Sequence, residues 1–151
     1  MNLWTGTSTA PECDGALAQA HAIGQRLPFN TDPLARQQIN AGEIDFIDMH
    51  LSHVAQHAWF GFFGKMNVAV IEVLGVTADG LLIPSTAIGN NKTWLEIADQ
   101  VILEVNTKLP GAMEGMHDIY YGTAIPPRRM PISMTHADNR IGEPYLKVDP
   151  A

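Results

Sequence analysis

Four consecutive apolar residues, Val68, Ala69, Val70 and Ile71, constrain the fold more than any other feature of this sequence. A strand with one face in water alternates apolar and polar side chains, whereas this run is rich in β-branched residues and contains no polar one. It therefore predicts a strand buried on both faces, as in parallel sheets that helices cover above and below. Glu72 follows, near the carboxyl end where open α/β sheets bind ligands. It is either a crevice group or an ordinary strand-end acid paired beside the next loop.

The composition excludes several classes of function. A chain of 151 residues supports one domain, and its net charge of −7 argues against a nucleic-acid-binding face, which needs clustered Lys and Arg. The single cysteine, Cys13, excludes an internal disulfide framework and fits a reducing compartment. The N-terminus lacks the parts of a secretory signal, and no apolar run approaches the roughly 20 residues of a membrane helix. We expect a soluble, cytoplasmic protein without nucleic-acid or membrane partners.

The first third of the chain alternates between strand and helix patterns. Leu3 and Trp4 are typical of a strand end, and residues 9–12 predict a capping box with proline in the first turn of a helix that ends at Gly24. Thr31 is expected to cap a second helix, which Gly42 ends. This order of elements predicts an α/β fold.

The same alternation continues to the C-terminus. Ser52 is expected to cap a third helix, and Thr93 with Glu96 forms a second predicted capping box. Further predicted elements are strands at 44–49, 101–105 and 145–148, a turn at 77–80 and a hairpin arm at 81–84. We therefore expect a mainly parallel sheet with helices on both faces, truncated at both ends, where strand patterns stand close to the termini.

Three histidines, His50, His53 and His57, have spacings that suggest a zinc site on a helix. However, Val54 stands where such motifs place a glutamate, and no cysteine is near enough to complete a tetrahedral set. The alternative is one loop histidine and two helix histidines bonded to backbone or water. We expect no metal.

Cys13 is the other candidate for reactive chemistry. A helix N-terminus lowers a thiol pKa, but Glu12 and Asp14 beside it raise that pKa, so we expect a packing role. The sequence contains no Gly-x-Ser-x-Gly elbow, no Gly-x-Gly-x-x-Gly motif and no P-loop. Serine hydrolysis and the common nucleotide-binding loops are therefore not supported.

Three loops remain, at residues 5–8, 50–53 and 86–90, each after a predicted strand and before a predicted helix. Such loops present backbone N–H groups at a helix N-terminus, where a carboxylate, phosphate or oxyanion binds well. The alternative is ordinary connection, because every α/β domain has loops of this kind.

Short motifs in one collinear order cover essentially the whole chain. They are Trp4-Thr5-Gly6-Thr7-Ser8 with Pro11-Glu12, Arg26-Leu27-Pro28-Phe29, Ile39-Asn40-Ala41-Gly42-Glu43, Asp48-Met49-His50-Leu51-Ser52-His53, Val68-Ala69-Val70-Ile71-Glu72, Ile88-Gly89-Asn90, Glu104-Val105-Asn106, Glu114-Gly115-Met116-His117-Asp118-Ile119, Pro126-Pro127-Arg128-Arg129-Met130-Pro131-Ile132 and Arg140-Ile141-Gly142. This series resembles the acetyl-CoA hydrolase/transferase family, the class I CoA-transferases, and is most similar to its acetate/succinate or propionate/succinate branch.

The resemblance implies two tandem α/β domains of the NagB/RpiA/CoA-transferase-like fold. It also implies a reaction in which a glutamate attacks the acyl-CoA, giving an acyl-glutamyl anhydride and then a glutamyl-CoA thioester. In the family that glutamate lies in the second domain. Residues 1–151 are therefore expected to be a partial N-terminal domain without a catalytic residue, for which coenzyme A is a substrate and no cofactor is needed.

The resemblance further implies a substrate-binding set. Arg129 is expected to contact a carboxylate or CoA. The residues expected to line the cleft with it are Thr5, Gly6, Ser8, His50, Ser52, Gly89 and Asn90. Transferase and hydrolase are not separated, because both share the first half-reaction.

Two further hypotheses stand beside an enzyme segment that is inactive alone. One is a stand-alone α/β module that binds CoA or a carboxylate. The other is an assembly role, because a truncated sheet exposes edges and an apolar face that favour a homo-oligomer or association with the missing domain.

Overall fold

The computed structural model describes residues 1–6, 8–9, 11–120, 131–132 and 134–148. The chain forms two compact units, residues 1–55 and residues 56–151, which we call the first and second units. A helix at Leu51–Trp59 crosses the boundary between them. In the described part of the chain, no helix combines the length and apolar character needed to cross a membrane.

The first unit is built from two successive βαβ crossovers. Strands β1 (Asn2–Trp4), β2 (Gln25–Leu27) and β3 (Asp45–Phe46) form a parallel sheet in that order. Helices α1 (Asp14–Gln19) and α2 (Pro33–Asn40) connect them and pack against each other. Because both crossovers step in the same direction, right-handed connections place both helices on one face of this sheet.

The core of the first unit lies between these helices and the sheet. The small side chains of Ala18 and Ala35 let α1 and α2 approach closely, and Gln38 Nε2 donates to the Ala18 carbonyl at 2.9 Å. Around them lie Ile23, Ile44, Leu3, Leu17 and Ile39. The two predicted helices and the outer strands of this sheet are therefore present, whereas the pattern did not predict the central strand β2.

The helix boundaries in this unit differ from the predicted ones. Helix α1 begins after Cys13, which makes no side-chain cap, and it ends at Gln19, well before Gly24. Two residues after the helix, His21 adopts a positive φ of 48°. Helix α2 is capped by Asp32, whose Oδ1 accepts from Ala35 N at 2.9 Å. The reason is local: the residue before a proline avoids the helical region, so Asp32 stays extended and Pro33 opens the helix.

The second unit contains a three-stranded sheet of mixed direction. Strand β4 (Val68–Val76) lies at its centre, antiparallel to β5 (Leu82–Pro84) and parallel to β6 (Gln100–Val105). Helix α3 is the boundary helix Leu51–Trp59, and α4 (Asn91–Ile97) packs against β4. The strands predicted at the two apolar runs and the hairpin arm are confirmed, and the two runs pair in parallel, as in the mainly parallel sheet that was expected.

The structure buries only one face of β4. Ala69, Ile71 and Val73 are buried, whereas Val68 and Val70 on the other face are 46% and 61% exposed. The prediction that this strand is buried on both faces is therefore wrong for the chain as it stands. The coarser prediction, an α/β chain with parallel strand pairing, is confirmed.

The remaining differences in the second unit concern local signals. Helix α3 starts at Leu51, so Ser52 lies within its first turn, and Thr93 lies inside α4 instead of capping it. The predicted last strand is reduced to one bridge, in which Leu146 exchanges backbone hydrogen bonds of 2.9 and 3.0 Å with Leu82. The predicted turn is present, with Thr77 O accepting from Gly80 N at 3.0 Å.

Candidate functional site

The loop after β1 runs beside the segment after β2. Thr5 N donates to the Leu27 carbonyl at 3.2 Å, and Ser8 forms a parallel bridge with Asn30. Thr31 Oγ1 donates to the Ser8 carbonyl at 3.2 Å. The pairing of β1 and β2 thus continues past the strands, at the carboxyl edge where α/β sheets bind ligands.

A buried ion pair holds this edge together. Arg26 and Asp14 are both 0% exposed, and the guanidinium contacts the carboxylate through two bonds, Nε to Oδ1 at 2.8 Å and Nη2 to Oδ2 at 3.0 Å. The guanidinium also donates to the carbonyls of Leu27 and Phe29, the latter at 2.8 Å. The planar fork of arginine suits such a site, because a buried charge must be paired and hydrogen-bonded.

The ion pair also engages the predicted loop. Burial raises the pKa of the Asp14 carboxyl, but hydrogen bonds from Arg26 and Ser8, together with the guanidinium charge, outweigh burial and hold that pKa below its usual range. The Ser8 hydroxyl is therefore committed to Asp14. Since Asp14 occupies the first turn of α1 and Asp32 caps α2, both helix N-termini already carry a carboxylate of the chain. An anion in this loop would compete with those acids.

Two polar side chains at this edge lack partners. Thr5 Oγ1 and both amide atoms of Asn30, Oδ1 and Nδ2, are buried without a hydrogen bond to any residue that the structure describes. Sequence reasoning missed Asn30, as it missed Asp14 and Arg26. No periodic pattern could have found Asn30, because β2, the strand before it, has only three residues.

Cys13 does not fill the expected packing role, since its side chain is exposed. Desolvation and the Asp14 carboxylate raise the pKa of its thiol, and the Arg26 charge offsets only part of that effect. A thiol with a raised pKa is a poor nucleophile at neutral pH. Cys13 is therefore not a catalytic candidate.

The histidines make ring contacts. His50 precedes α3, as predicted, and its ring meets that of His53 edge-on with centroids 5.7 Å apart. The ring of His57 stacks on Phe63 at 6.0 Å and contacts Phe62 at 5.4 Å. Among the described residues, no three His, Cys, Asp or Glu side chains are grouped to hold a metal ion.

In the second unit, Glu72 lies in the middle of β4 and is held by neutral side chains. Its Oε1 accepts from Asn106 Nδ2 at 2.7 Å, and Asn106 N donates to the Val73 carbonyl at 2.8 Å. Hydrogen bonds from Asn106 and then Ser85 lower the pKa of the Glu72 carboxyl, and desolvation opposes them only in part. Of the two alternatives that the sequence left open, the paired acid is confirmed, but its expected place at the strand end is wrong, because β4 continues to Val76.

The predicted site residues fall into separate groups. Thr5, Gly6 and Ser8 follow β1, and His50 and Ser52 follow β3, so all five come after strands of one parallel sheet. Gly89, at a φ of 48° that favours glycine, and Asn90 precede α4. Because their loop follows the antiparallel strand β5, it does not share the carboxyl edge of β4 and β6. Arg129 lies outside the described residues.

Comparisons with known proteins match the chain over most of its length. A family model for the acetyl-CoA hydrolase/transferase N-terminal domain matches residues 1–140. The succinyl-CoA:acetate CoA-transferase of Clostridium kluyveri is 45% identical over 97% of the chain, and the propanoyl-CoA:succinate CoA transferase of Escherichia coli is 40% identical over 99%. The acetyl-CoA hydrolase of Yarrowia lipolytica is 36% identical over 99%. The chain spans only 27%, 30% and 29% of these three relatives.

Proposed function

Because the chain belongs to the acetyl-CoA hydrolase/transferase family, we propose that it is part of an acyl-CoA:carboxylate CoA-transferase or an acetyl-CoA hydrolase. The observation that carries this proposal is the near-complete match of the chain to relatives of both kinds, named for succinyl-CoA, propanoyl-CoA and acetyl-CoA. Residues 1–151 then form part of the N-terminal domain, and a second, catalytic domain completes the enzyme. Coenzyme A is a substrate in this proposal, and no cofactor takes part.

The acids of this chain support a nucleophile located elsewhere. Glu72 is held by Asn106 and Ser85, whose hydrogen bonds stabilise its ionised form. Glu104, its register partner on β6, is exposed to solvent. In the proposed reaction, a glutamate of the second domain attacks the thioester carbonyl and releases the CoA thiolate, leaving an acyl-glutamyl anhydride. The thiolate then attacks the glutamyl carbonyl and expels the acyl group as a carboxylate.

The proposed contribution of this chain is substrate binding. We assign that role to Thr5, Gly6, Ser8, His50, Ser52, Gly89, Asn90 and Arg129. Support comes from the first unit, where five of these residues follow strands of one parallel sheet. Arg129 is assigned as a carboxylate or CoA contact because of its place in the family motif.

We also propose the NagB/RpiA/CoA-transferase-like fold for the whole protein, with helices on both faces of the sheet. The exposed apolar face of the second unit supports this proposal. Val70 on β4 and its register partner Ile102 on β6 are 61% and 55% exposed, beside Val68 at 46%. In this proposal the second domain, or another copy of the chain in a homo-oligomer, packs on that apolar face. The proposed location of the protein is the cytoplasm.

Thioester exchange tests the proposed function. We expect purified protein of residues 1–151 to exchange no acyl-CoA with labelled acetate or succinate, because it lacks the nucleophile. A longer polypeptide that includes the family's second domain should catalyse exchange between acyl-CoA and the labelled carboxylate, or hydrolyse acetyl-CoA. Glu104→Gln in that longer protein is the control, and it should retain full activity.

Two outcomes would contradict the proposal. Turnover by residues 1–151 alone would place the nucleophile within this chain. Inactivity of the longer protein, combined with calorimetric binding of CoA by the short one, would instead favour a stand-alone CoA-binding module.

A further inference from the structure

At the carboxyl edge of the first unit, two charged side chains are fully hydrogen-bonded, whereas two neutral polar side chains have no partner among the described residues. The Arg26 guanidinium makes four hydrogen bonds, and both oxygens of Asp14 accept from it. Beside them, Thr5 Oγ1 and the two amide atoms of Asn30 are buried without a partner among the described residues. Leaving buried polar groups unpaired is costly, so each such group needs an explanation.

The two side chains lie on neighbouring, paired segments. Thr5 follows β1 and its N–H bonds to the Leu27 carbonyl at 3.2 Å, while Asn30 follows β2 and bridges to Ser8. Both segments leave the carboxyl edge of the parallel sheet. Their unpaired atoms are therefore located where α/β sheets bind ligands, and not in the core between the helices.

The chemistry of the unpaired atoms selects a neutral ligand. The Asn30 amide offers an acceptor and donors, and the Thr5 hydroxyl offers one of each kind. The neighbouring cation, Arg26, is neutralised by Asp14, and the buried Asp32 carboxylate stands two residues beyond Asn30. A carboxylate or phosphate at Asn30 would therefore gain no net charge from Arg26. A secondary amide, which carries one donor and one acceptor, matches the unpaired atoms.

We propose that Thr5 and Asn30 form a subsite for a neutral secondary amide, namely an amide of the pantetheine arm of coenzyme A. The identity of the ligand rests on the proposed function, whereas the amide class rests on the unpaired atoms and the charges around them. The amide N–H donates to Asn30 Oδ1 or Thr5 Oγ1, and its carbonyl accepts from the Asn30 amide or the Thr5 hydroxyl. Asn30 is thereby a binding residue in addition to the predicted set.

Near-isosteric substitutions separate this role from a structural one. Thr5→Val and Asn30→Leu remove the unpaired polar atoms and keep the side-chain volume, so both should raise the Tm of the ligand-free protein. Each should also weaken pantetheine binding on the order of tenfold, the usual effect of one lost hydrogen bond. Thr31→Val is the matched control: it removes a hydroxyl that bonds to the Ser8 carbonyl, so it should lower Tm and leave pantetheine affinity unchanged.

Binding is measured by NMR titration of the 151-residue chain with pantetheine, following the Asn30 side-chain amide signals. Pantetheine should shift these signals, and acetate at equal concentration should not. The subsite is overturned if pantetheine leaves them unmoved, if acetate moves them instead, or if Thr5→Val and Asn30→Leu lower Tm as Thr31→Val does. None of these results bears on thioester exchange by the longer protein, which judges the proposed function separately.

Discussion

Each unit holds one carboxylate by hydrogen bonds, Asp14 in α1 and Glu72 in β4, but the partners are of opposite kinds. In the first unit, Asp14 is fully buried and paired with the equally buried Arg26. In the second, Glu72 is only partly buried and is held by the neutral side chains of Asn106 and Ser85. The difference follows burial: a carboxylate withdrawn from water needs a full opposite charge, whereas one that keeps some water is stabilised by neutral donors.

This comparison also separates the two edges by function. In the first unit, Arg26 and Asp14 neutralise each other, and the neutral atoms of Thr5 and Asn30 are buried without a partner among the described residues. The acid of the second unit is fastened to the two segments that follow β5 and β6, so it joins loops to the sheet. Both acids therefore stabilise the scaffold.

The largest predicted effect is at the buried ion pair. Arg26→Met keeps the length of the side chain but leaves Asp14 buried and unpaired. We expect this variant to lose about 3–5 kcal/mol of the free energy of unfolding, the usual cost of breaking a buried pair by removing one partner. Urea denaturation followed by circular dichroism measures it.

The double variant Asp14→Leu/Arg26→Met is the control for that prediction. It removes both charges, so we expect it to recover most of the stability lost in Arg26→Met. If the double variant were as unstable as the single one, the loss would come from packing or from the carbonyl contacts of Arg26, and the contrast between the units would not be one of charge.

Much of the first unit could be predicted from the sequence, but its ion pair could not. The helical spacing indicated α1 and α2, and Arg26 lies in one of the family motifs. Its partner depends on β2, which has three residues and is too short for any periodic pattern to show. Without β2, nothing in the sequence brings Asp14 to a residue twelve positions away.

More of the second unit could be predicted from the sequence, except for the burial of β4. The apolar runs correctly indicated strands β4 and β6, which pair in parallel. An apolar run shows that both faces of a strand avoid water, but it does not show whether this chain supplies the cover, and the face with Val70 and Ile102 is open here. The pattern at Thr93 and Glu96 also failed as a capping box, because α4 begins two residues earlier, at Asn91.

The second prediction compares two crowded glycines, one that faces a backbone carbonyl and one that faces the end of a side chain. A Cβ at Gly142 would overlap the backbone carbonyl of Ile119, which cannot move without breaking the bridge from Ile119 to Glu143. We expect Gly142→Ala to cost about 1–3 kcal/mol of the free energy of unfolding. Thermal and urea unfolding of the variant measure this loss.

Gly15→Ala is the counterpart in the first unit. Its Cβ would lie 2.7 Å from Asp32 Oδ2, the end of a side chain that can rotate away. Losing the Asp32 cap costs about 1 kcal/mol, and replacing glycine by alanine within α1 returns about the same amount, so we expect little net change. Gly111→Ala, with nothing near its Cβ, serves as the unobstructed control. If Gly15→Ala lost as much free energy of unfolding as Gly142→Ala, the Asp32 side chain would be unable to rotate away from the added Cβ.

The smallest predicted effect is the pH-dependent one at Glu72. The folded-state pKa of Glu72 is lowered, so its contribution to stability is present above its unfolded pKa of about 4.3 and is lost as the pH falls through the folded value. Glu72→Gln can still accept from Asn106 but lacks the charge. We therefore expect it to be less stable than the natural chain by about 1 kcal/mol at pH 7, and equally stable once Glu72 is protonated.

Urea unfolding at a series of pH values, from neutral to strongly acidic, measures the difference in stability between the natural chain and Glu72→Gln. That difference should shrink as the pH falls. Asp14 also loses its contribution as the pH falls, because its pKa is lowered too, but both proteins carry it and it cancels in the comparison. Glu104→Gln is the matched control at the register-paired position on β6, where the exposed side chain should change stability by less than about 0.5 kcal/mol. An equal effect at both positions would mean that net charge, and not the bonds from Asn106 and Ser85, accounts for the stability that Glu72 adds.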